Sequence, residues 1–319
     1  MVLSAADGPV NSGVISRATT GRQLERVRVT EATARTARRT TPGASAGAIQ
    51  THYDVGNRFY ELWLDPTLTY SCALWDGEDD TLEAAQQRKL AYMADAALGA
   101  GARRVLDIGC GWGGLLRHFR TRGVAVAVGL TLSQAQHDFV EGLGLPGVEA
   151  RLESWRDHRP ASPYDAIVSA GAFEHFADLD LTEAERLGVY RDFFRRCHEW
   201  LRPGGTLTLQ TIAYGPAPAP ASRRRHFVEI FPESDLPWPA EIFKASEHLF
   251  EVTAFRNDRD HYIRTLKAWR RNLREARASA LDEVGEAIFG FYERYLVLAA
   301  IAFGGRHAVL LRLRMTRYP

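Results

Sequence analysis

The residues best equipped for chemistry in this 319-residue chain gather around one glycine-rich turn. Val105-Leu106-Asp107-Ile108-Gly109-Cys110-Gly111-Trp112-Gly113-Gly114 reads as an apolar strand entering a tight turn and then a helix. Glycines let the backbone turn sharply and approach a ligand, and a helix N-terminus favours negative charge. Gly109, Gly111 and Gly114 also satisfy the spacing of a dinucleotide fingerprint, so a nicotinamide-dependent dehydrogenase has to be weighed. A purely structural glycine turn in an unrelated α/β protein is the weaker alternative. A dinucleotide site needs an acidic residue roughly 20 positions further on for the ribose hydroxyls. The next strand instead ends Val128-Gly129-Leu130-Thr131-Leu132-Ser133, without a carboxylate. Asp107 stands immediately before the glycines, where an acid suits an ammonium or sulfonium group. The ligand that carries both is S-adenosylmethionine.

A second concentration of chemistry lies in Gly171-Ala172-Phe173-Glu174-His175-Phe176, whose one carboxylate, Glu174, follows a strand end. Tyr70, Trp75, Phe173, Phe176 and Tyr262 have ring faces able to stabilise a cation, each worth ~0.5–2 kcal/mol depending on desolvation. Ordinary core packing competes with that reading, most strongly for Phe173 and Phe176. Two basic clusters bear on the substrate: Arg223-Arg224-Arg225-His226, and Arg264, Lys267, Arg271 and Arg274 at helical spacing. Both suit an anionic substrate group, such as a phospholipid headgroup at a membrane surface, an acyl-carrier protein or an isoprenoid diphosphate. Simple solvated exposure is the alternative for each.

Alternating strands and helices must position these groups. Arg104–Ile108, Val124–Leu130, Val148–Leu152, Ala166–Ala170 and Thr206–Thr211 read as strands, several of them continuous apolar runs. Helices are expected over Thr81–Gly99, Gly114–Arg122, Ser133–Leu143 and Thr182–Leu201, and an aromatic helix over Ile49–Trp63. This pattern predicts an α/β fold with a doubly wound, mostly parallel sheet and a helical N-terminal segment, binding ligands beyond the strands' carboxyl ends. Residues 1–48, rich in Arg, Thr, Ala and Ser, read as a flexible basic arm. One domain is expected over 49–319, with 214–249 as a substrate-covering insertion after the fifth strand, 262–303 helical and a last strand at Ala308–Met315.

Composition sets the outer limits. The 40 Lys+Arg against 39 Asp+Glu argue against a nucleic-acid binder, which needs surplus cations. Cys72, Cys110 and Cys197 lack the spacing of a zinc site or disulfide framework, and no metal site is expected. The longest apolar run is read as Tyr295–Phe303, short of the ~18–20 residues that span a bilayer. The first thirty residues lack a hydrophobic signal core, so a cytoplasmic enzyme is expected.

Taken together these motifs resemble the cyclopropane fatty acid and mycolic acid cyclopropane synthases, a branch of the S-adenosylmethionine-dependent methyltransferases. The resemblance runs from about His52 to Arg314 and rests on His52-Tyr53-Asp54, Thr69-Tyr70-Ser71-Cys72-Ala73, the Leu106–Gly113 turn, Gly129–Ser133 with Gln136, Gly171–Phe176, Ile230-Phe231-Pro232 and His261-Tyr262 with Trp269. It implies a Rossmann-like methyltransferase in which Tyr70, Ser71, the Gly109–Gly113 turn, Thr131, Leu132, Gln136 and Trp155 contact the cofactor. Thr131 and Gln136 would replace the missing carboxylate with neutral hydrogen-bonding groups. It also implies a bicarbonate ion at Cys72, Ala170, Glu174, Gln210 and Tyr262. The implied reaction is methyl transfer to an alkene carbon, giving a carbocation that closes a cyclopropane by losing a proton from the new methyl.

The chain departs from that pattern at three places. Gln210 replaces the usual histidine, Ala299 a cysteine and Arg312 a glutamine. A glutamine donates hydrogen bonds but neither carries charge nor takes up a proton. The departures therefore put bicarbonate-assisted ring closure in question and make Glu174 the direct base. They point to C-methylation of a small hydrophobic, anionic substrate, an isoprenoid diphosphate or specialised biosynthetic intermediate, with Mg2+ only if a diphosphate is bound. A phospholipid cyclopropane-fatty-acid synthase is the alternative, and a small-amine N-methyltransferase or a non-catalytic binding protein the third.

Overall fold

The protein is described by a computed structural model covering residues 43–45, 47, 55–98, 101–217 and 234–318. Seven strands form one sheet: β1 (Arg104–Ile108), β2 (Val126–Thr131), β3 (Val148–Leu152), β4 (Tyr164–Ala170), β5 (Leu201–Tyr214), β6 (Phe250–Asn257) and β7 (Ala308–Arg317), in the order β3-β2-β1-β4-β5-β7-β6. The first five are parallel, whereas β7 runs antiparallel between β5 and β6. Central strands buried on both faces explain the continuous apolar runs: Val105, Leu106, Ala166, Ile167 and Val168 are inaccessible to solvent. The strand order reverses beside β1, and the crevice beyond its carboxyl end is where such sheets take ligands.

The helices begin where capping chemistry places them. Thr81 accepts a hydrogen bond from the Ala84 N–H at the start of Leu82–Ala97. Thr182 and Glu185 form a reciprocal capping box at the start of Glu183–Trp200. Tyr190, Phe193, Phe194 and Cys197 of that helix recur at helical spacing and pack on the sheet's first core cluster.

Four expectations change. Part of the expected covering insertion is structural: Pro239–Ser246 is a helix whose Ile242 and Ala245 are fully buried, and β6 begins at Phe250. The aromatic segment is helical over Asn57–Glu61, with Ile49 and Tyr53 outside the described residues. The helix Arg259–Glu275 starts earlier than expected. The apolar run is also longer than expected: Arg277–Gly304 is a 28-residue helical stretch containing an 18-residue window of mean hydropathy 1.4, sufficient by length and composition to cross a membrane. Gly285 breaks it (φ 77°, ψ 169°), and Phe289, Tyr292, Tyr295, Leu296 and Phe303 bury one side in the second core cluster. The basic arm, apart from Gly43–Ser45 and Gly47, and the Arg223, Arg224 and Arg225 run lie outside the described residues.

Candidate active site

β1 delivers Asp107 and the turn after it. Gly109 has φ 82°, and a Cβ there would lie 2.5 Å from that of Ala172, so no other residue fits. Gly111, at φ 55°, would meet nothing within 4 Å: its backbone borders open space. Gly113 caps the following helix, Gly114–Thr121, at φ 75°. Asp107 is 1% exposed, yet neither carboxylate oxygen has a hydrogen-bond partner. Burial pushes its pKa up to about 7, opposed by Lys89. A buried acid with both oxygens unsatisfied costs stability unless a ligand supplies donors or positive charge. The cradle and its acid thus fit the ammonium-bearing end of S-adenosylmethionine.

The rest of the expected cofactor set falls around this turn. Thr131 ends β2, and its hydroxyl donates to Gln136 Oε1 (2.7 Å) while accepting from the Ser133 N–H. Leu132 lies half-buried between them. Tyr70 and Ser71 sit on a segment held by Gln86, whose amide donates to the carbonyls of Thr69 (3.1 Å) and Ser71 (2.9 Å). Trp155 is placed otherwise: its ring packs on Phe176 and Phe193 in the core, with the Arg156 guanidinium 4.4 Å from the ring centre.

A cavity opens beside this segment, lined by Tyr70, Ser71, Gly171, Glu174, His175, Gln210, Ile212, Tyr262, Tyr295 and Leu310. Glu174, Gln210 and Tyr262, far apart in sequence, meet here. Glu174 sits in a one-turn 3-10 helix after β4, 4% exposed. Its Oε1 accepts from the Ile212 N–H (2.6 Å), while Oε2 has no partner. Burial raises the carboxyl to about 7 against that hydrogen bond, poising it to exchange a proton near neutrality. Burial also holds Tyr70 well above the usual phenol range and Tyr295 at about 12, so both rings are neutral.

Several expected roles are corrected. Phe173 is fully buried, stacked on Tyr190 at 4.6 Å and edge-on to Phe193 and Phe176, so no ring face is left for a substrate. Phe176 is 7% exposed within the same cluster. Cys72 is fully buried, its thiol donating to the Ala73 carbonyl and raised to about 11 by burial. It does not line the cavity. The Arg264 guanidinium stacks on Trp75 (4.2 Å) and donates to the carbonyls of Gly77, Glu78 and Asp80, which is a structural use.

Three residues escaped sequence reasoning. Tyr295 joins the cavity from the long apolar helix. Lys89, 1% exposed, donates to Ser71 Oγ (3.0 Å) and is lowered to about 8 by burial. A lysine amid helix formers ordinarily faces solvent, and no sequence signal marked this one. Asp258 is buried and bound to Arg256 and Arg312.

This set does not fit a bicarbonate ion. Cys72 is turned away, Gln210 is uncharged, each guanidinium nitrogen of Arg312 is already bound to protein acceptors, and Lys89 is held on Ser71 Oγ. Among the described residues no group of three His, Cys, Asp or Glu side chains is placed to hold a metal ion.

Comparison with known proteins places this geometry. Residues 41–313 match the family model described as mycolic acid cyclopropane synthetase. Cyclopropane mycolic acid synthase 2 of Mycobacterium leprae is 33% identical over 293 residues, 85% of this chain and 93% of its own. Among solved structures, the cyclopropane synthase MmaA2 from Mycobacterium tuberculosis superposes with a TM-score of 0.78 at 31% identity, covering 86% of this chain and 99% of its own. The mycolic acid cyclopropane synthase CmaA1, complexed with SAH and CTAB, gives 0.77 at 29% identity over the same shares.

Proposed function

The chain belongs to the mycolic acid cyclopropane synthetase family and is an S-adenosylmethionine-dependent methyltransferase, and from that premise we propose that it transfers a one-carbon unit to a carbon–carbon double bond in an unsaturated acyl chain. The family relationship favours this alternative over an isoprenoid diphosphate. The observation that carries the reading is Glu174: a buried carboxylate with one free oxygen, set in an aromatic cavity beside the cofactor turn.

When bound, the cofactor supplies an electrophilic methyl group on a sulfonium. The chain's own residues do the rest. Asp107 and the Gly109–Gly113 turn hold the amino-acid end, Thr131 and Gln136 take ribose hydroxyls, and Ser71 and Tyr70 close the cofactor side. An alkene is a weak nucleophile, so alignment and stabilisation of positive charge on carbon must lower the barrier. Tyr70, Tyr262 and Tyr295 offer ring faces for that charge. Glu174 Oε2 then accepts the departing proton. Taken from the new methyl, that proton leaves a cyclopropane; taken from a neighbouring carbon, it leaves a methylated alkene.

Methyl-labelled cofactor incubated separately with vesicles of monounsaturated phospholipid, acyl-carrier-bound unsaturated acid and geranyl diphosphate tests this. Label in an acyl chain, with proton signals of a cyclopropane or methyl branch, is the expected result. Label only in the diphosphate, or in none despite cofactor binding, would sink the proposal.

A further inference from the structure

Arg312 is one of the largest fully buried side chains, 1% exposed in the middle of β7. Its Nη1 pairs with the Asp258 carboxylate, which Arg256 also holds, and this pairing balances a charge too costly to bury alone. Its Nη2 donates to the carbonyls of Cys72 (2.9 Å) and Ala73 (3.3 Å), tying the segment that carries Tyr70 and Ser71 to the sheet. The remaining donor, Nε, reaches Gln210 Oε1 at 2.8 Å, directly across the ladder where β5 pairs with β7.

Charge balance does not require that last bond, but it has a consequence for the site. A carboxamide has an accepting end and a donating end. A guanidinium can only donate, so it selects the oxygen, and a flipped amide would set two donors against each other. Gln210 is 1% exposed and lines the Glu174 cavity, and among the described residues its Nε2 makes no hydrogen bond to protein.

We infer that Arg312 is a positioning residue: it locks the Gln210 carboxamide with its N–H donor turned to the cavity, so that Gln210 donates there while Glu174 accepts. A hydroxyl-type oxygen, which accepts from one and donates to the other, is the ligand chemistry this pair takes. The expected effect on turnover rests on the function proposed above; the amide orientation does not.

Selective 15N labelling of glutamine gives a direct readout by NMR, with the Gln210 side-chain amide identified by its loss in Gln210→Glu. In the wild type that pair is expected to be resolved and unaveraged, and in Arg312→Met to move or broaden. At saturating cofactor Arg312→Met and Gln210→Leu each lower kcat roughly tenfold to a hundredfold, the loss of one preorganised donor. The double variant is no slower than either single one, because Arg312 acts through Gln210. If Arg312→Met does not fold, Arg312→Met/Asp258→Asn removes the carboxylate that has lost its buried partner and keeps only Arg256, and carries the same measurements. An unchanged Gln210 amide signal, or fully additive losses in the double variant, overturns the inference. Absence of methyl transfer by the wild type, with the amide behaving as expected, overturns the proposed function and leaves the positioning standing.

Discussion

Glu174 and Asp107 are both buried carboxyls raised to about 7, yet their surroundings assign them different work. Glu174 lines the cavity with one oxygen tied to the Ile212 N–H and the other without a hydrogen-bond partner, the arrangement of a held base. Asp107 has both oxygens open beside a glycine cradle, the arrangement of a binding group awaiting donors. Kinetics separates them, because kcat reports groups in the bound complex and kcat/KM groups in the free enzyme. A base must be ionised to act, so kcat should rise with pH through about 7 and level off above it. Glu174→Gln should abolish that acid limb and lower kcat by roughly 10²–10⁴-fold, with S-adenosylhomocysteine affinity unchanged by calorimetry. An acid limb that persists in the variant would assign the proton transfer to another group.

Between residue and fold, Phe173 tests whether its element is structural. Its ring joins the one-turn helix carrying Glu174 to Tyr190 and Phe193 on Glu183–Trp200. Phe173→Ala should cost about 3–5 kcal/mol by chemical denaturation, with kcat of the folded fraction falling as Glu174 loses its support. The same elements show what sequence patterning could reach. β1, β3 and the capped helices stood out because apolar runs, threonine caps and glycine stops act locally. β6 did not: an edge strand with Thr253, Ala254 and Phe255 exposed has no clean alternation. Gln210 and Arg312 each stood out as a departure in type, but their contact depends on the register of β5 against β7, which local patterning does not encode. Lys89 was invisible for the same reason, its burial being set by the segment folded over it.

The whole sheet concentrates these groups at one end, and their desolvation becomes a property of global stability. An acid whose folded pKa is raised binds its proton more tightly in the native state than in the unfolded one. For Asp107, with about 7 folded against 3.8 unfolded, stability is fully retained below the lower value and declines as pH rises towards about 7. Asp107→Asn removes that titration while keeping the shape. The variant's unfolding free energy relative to wild type should therefore increase steadily from about pH 4 to about pH 7 and then level off, by an amount on the order of 2–4 kcal/mol. Taking the difference between two proteins matters, because His175, lowered to about 4 by burial, drives the opposite trend below its unfolded value and is common to both. Cofactor binding adds the complementary half: an ammonium placed against Asp107 favours its ionised form, so wild-type affinity for S-adenosylhomocysteine should strengthen as pH rises from 6 to 8. The same titration of Asp107→Asn should be flatter and weaker throughout. Urea unfolding at five pH values, paired with calorimetric titrations at pH 6, 7 and 8, measures both halves. Parallel stability curves for the two proteins would mean that Asp107 stays ionised in the free enzyme and that its charge is met by Lys89 rather than by the cofactor.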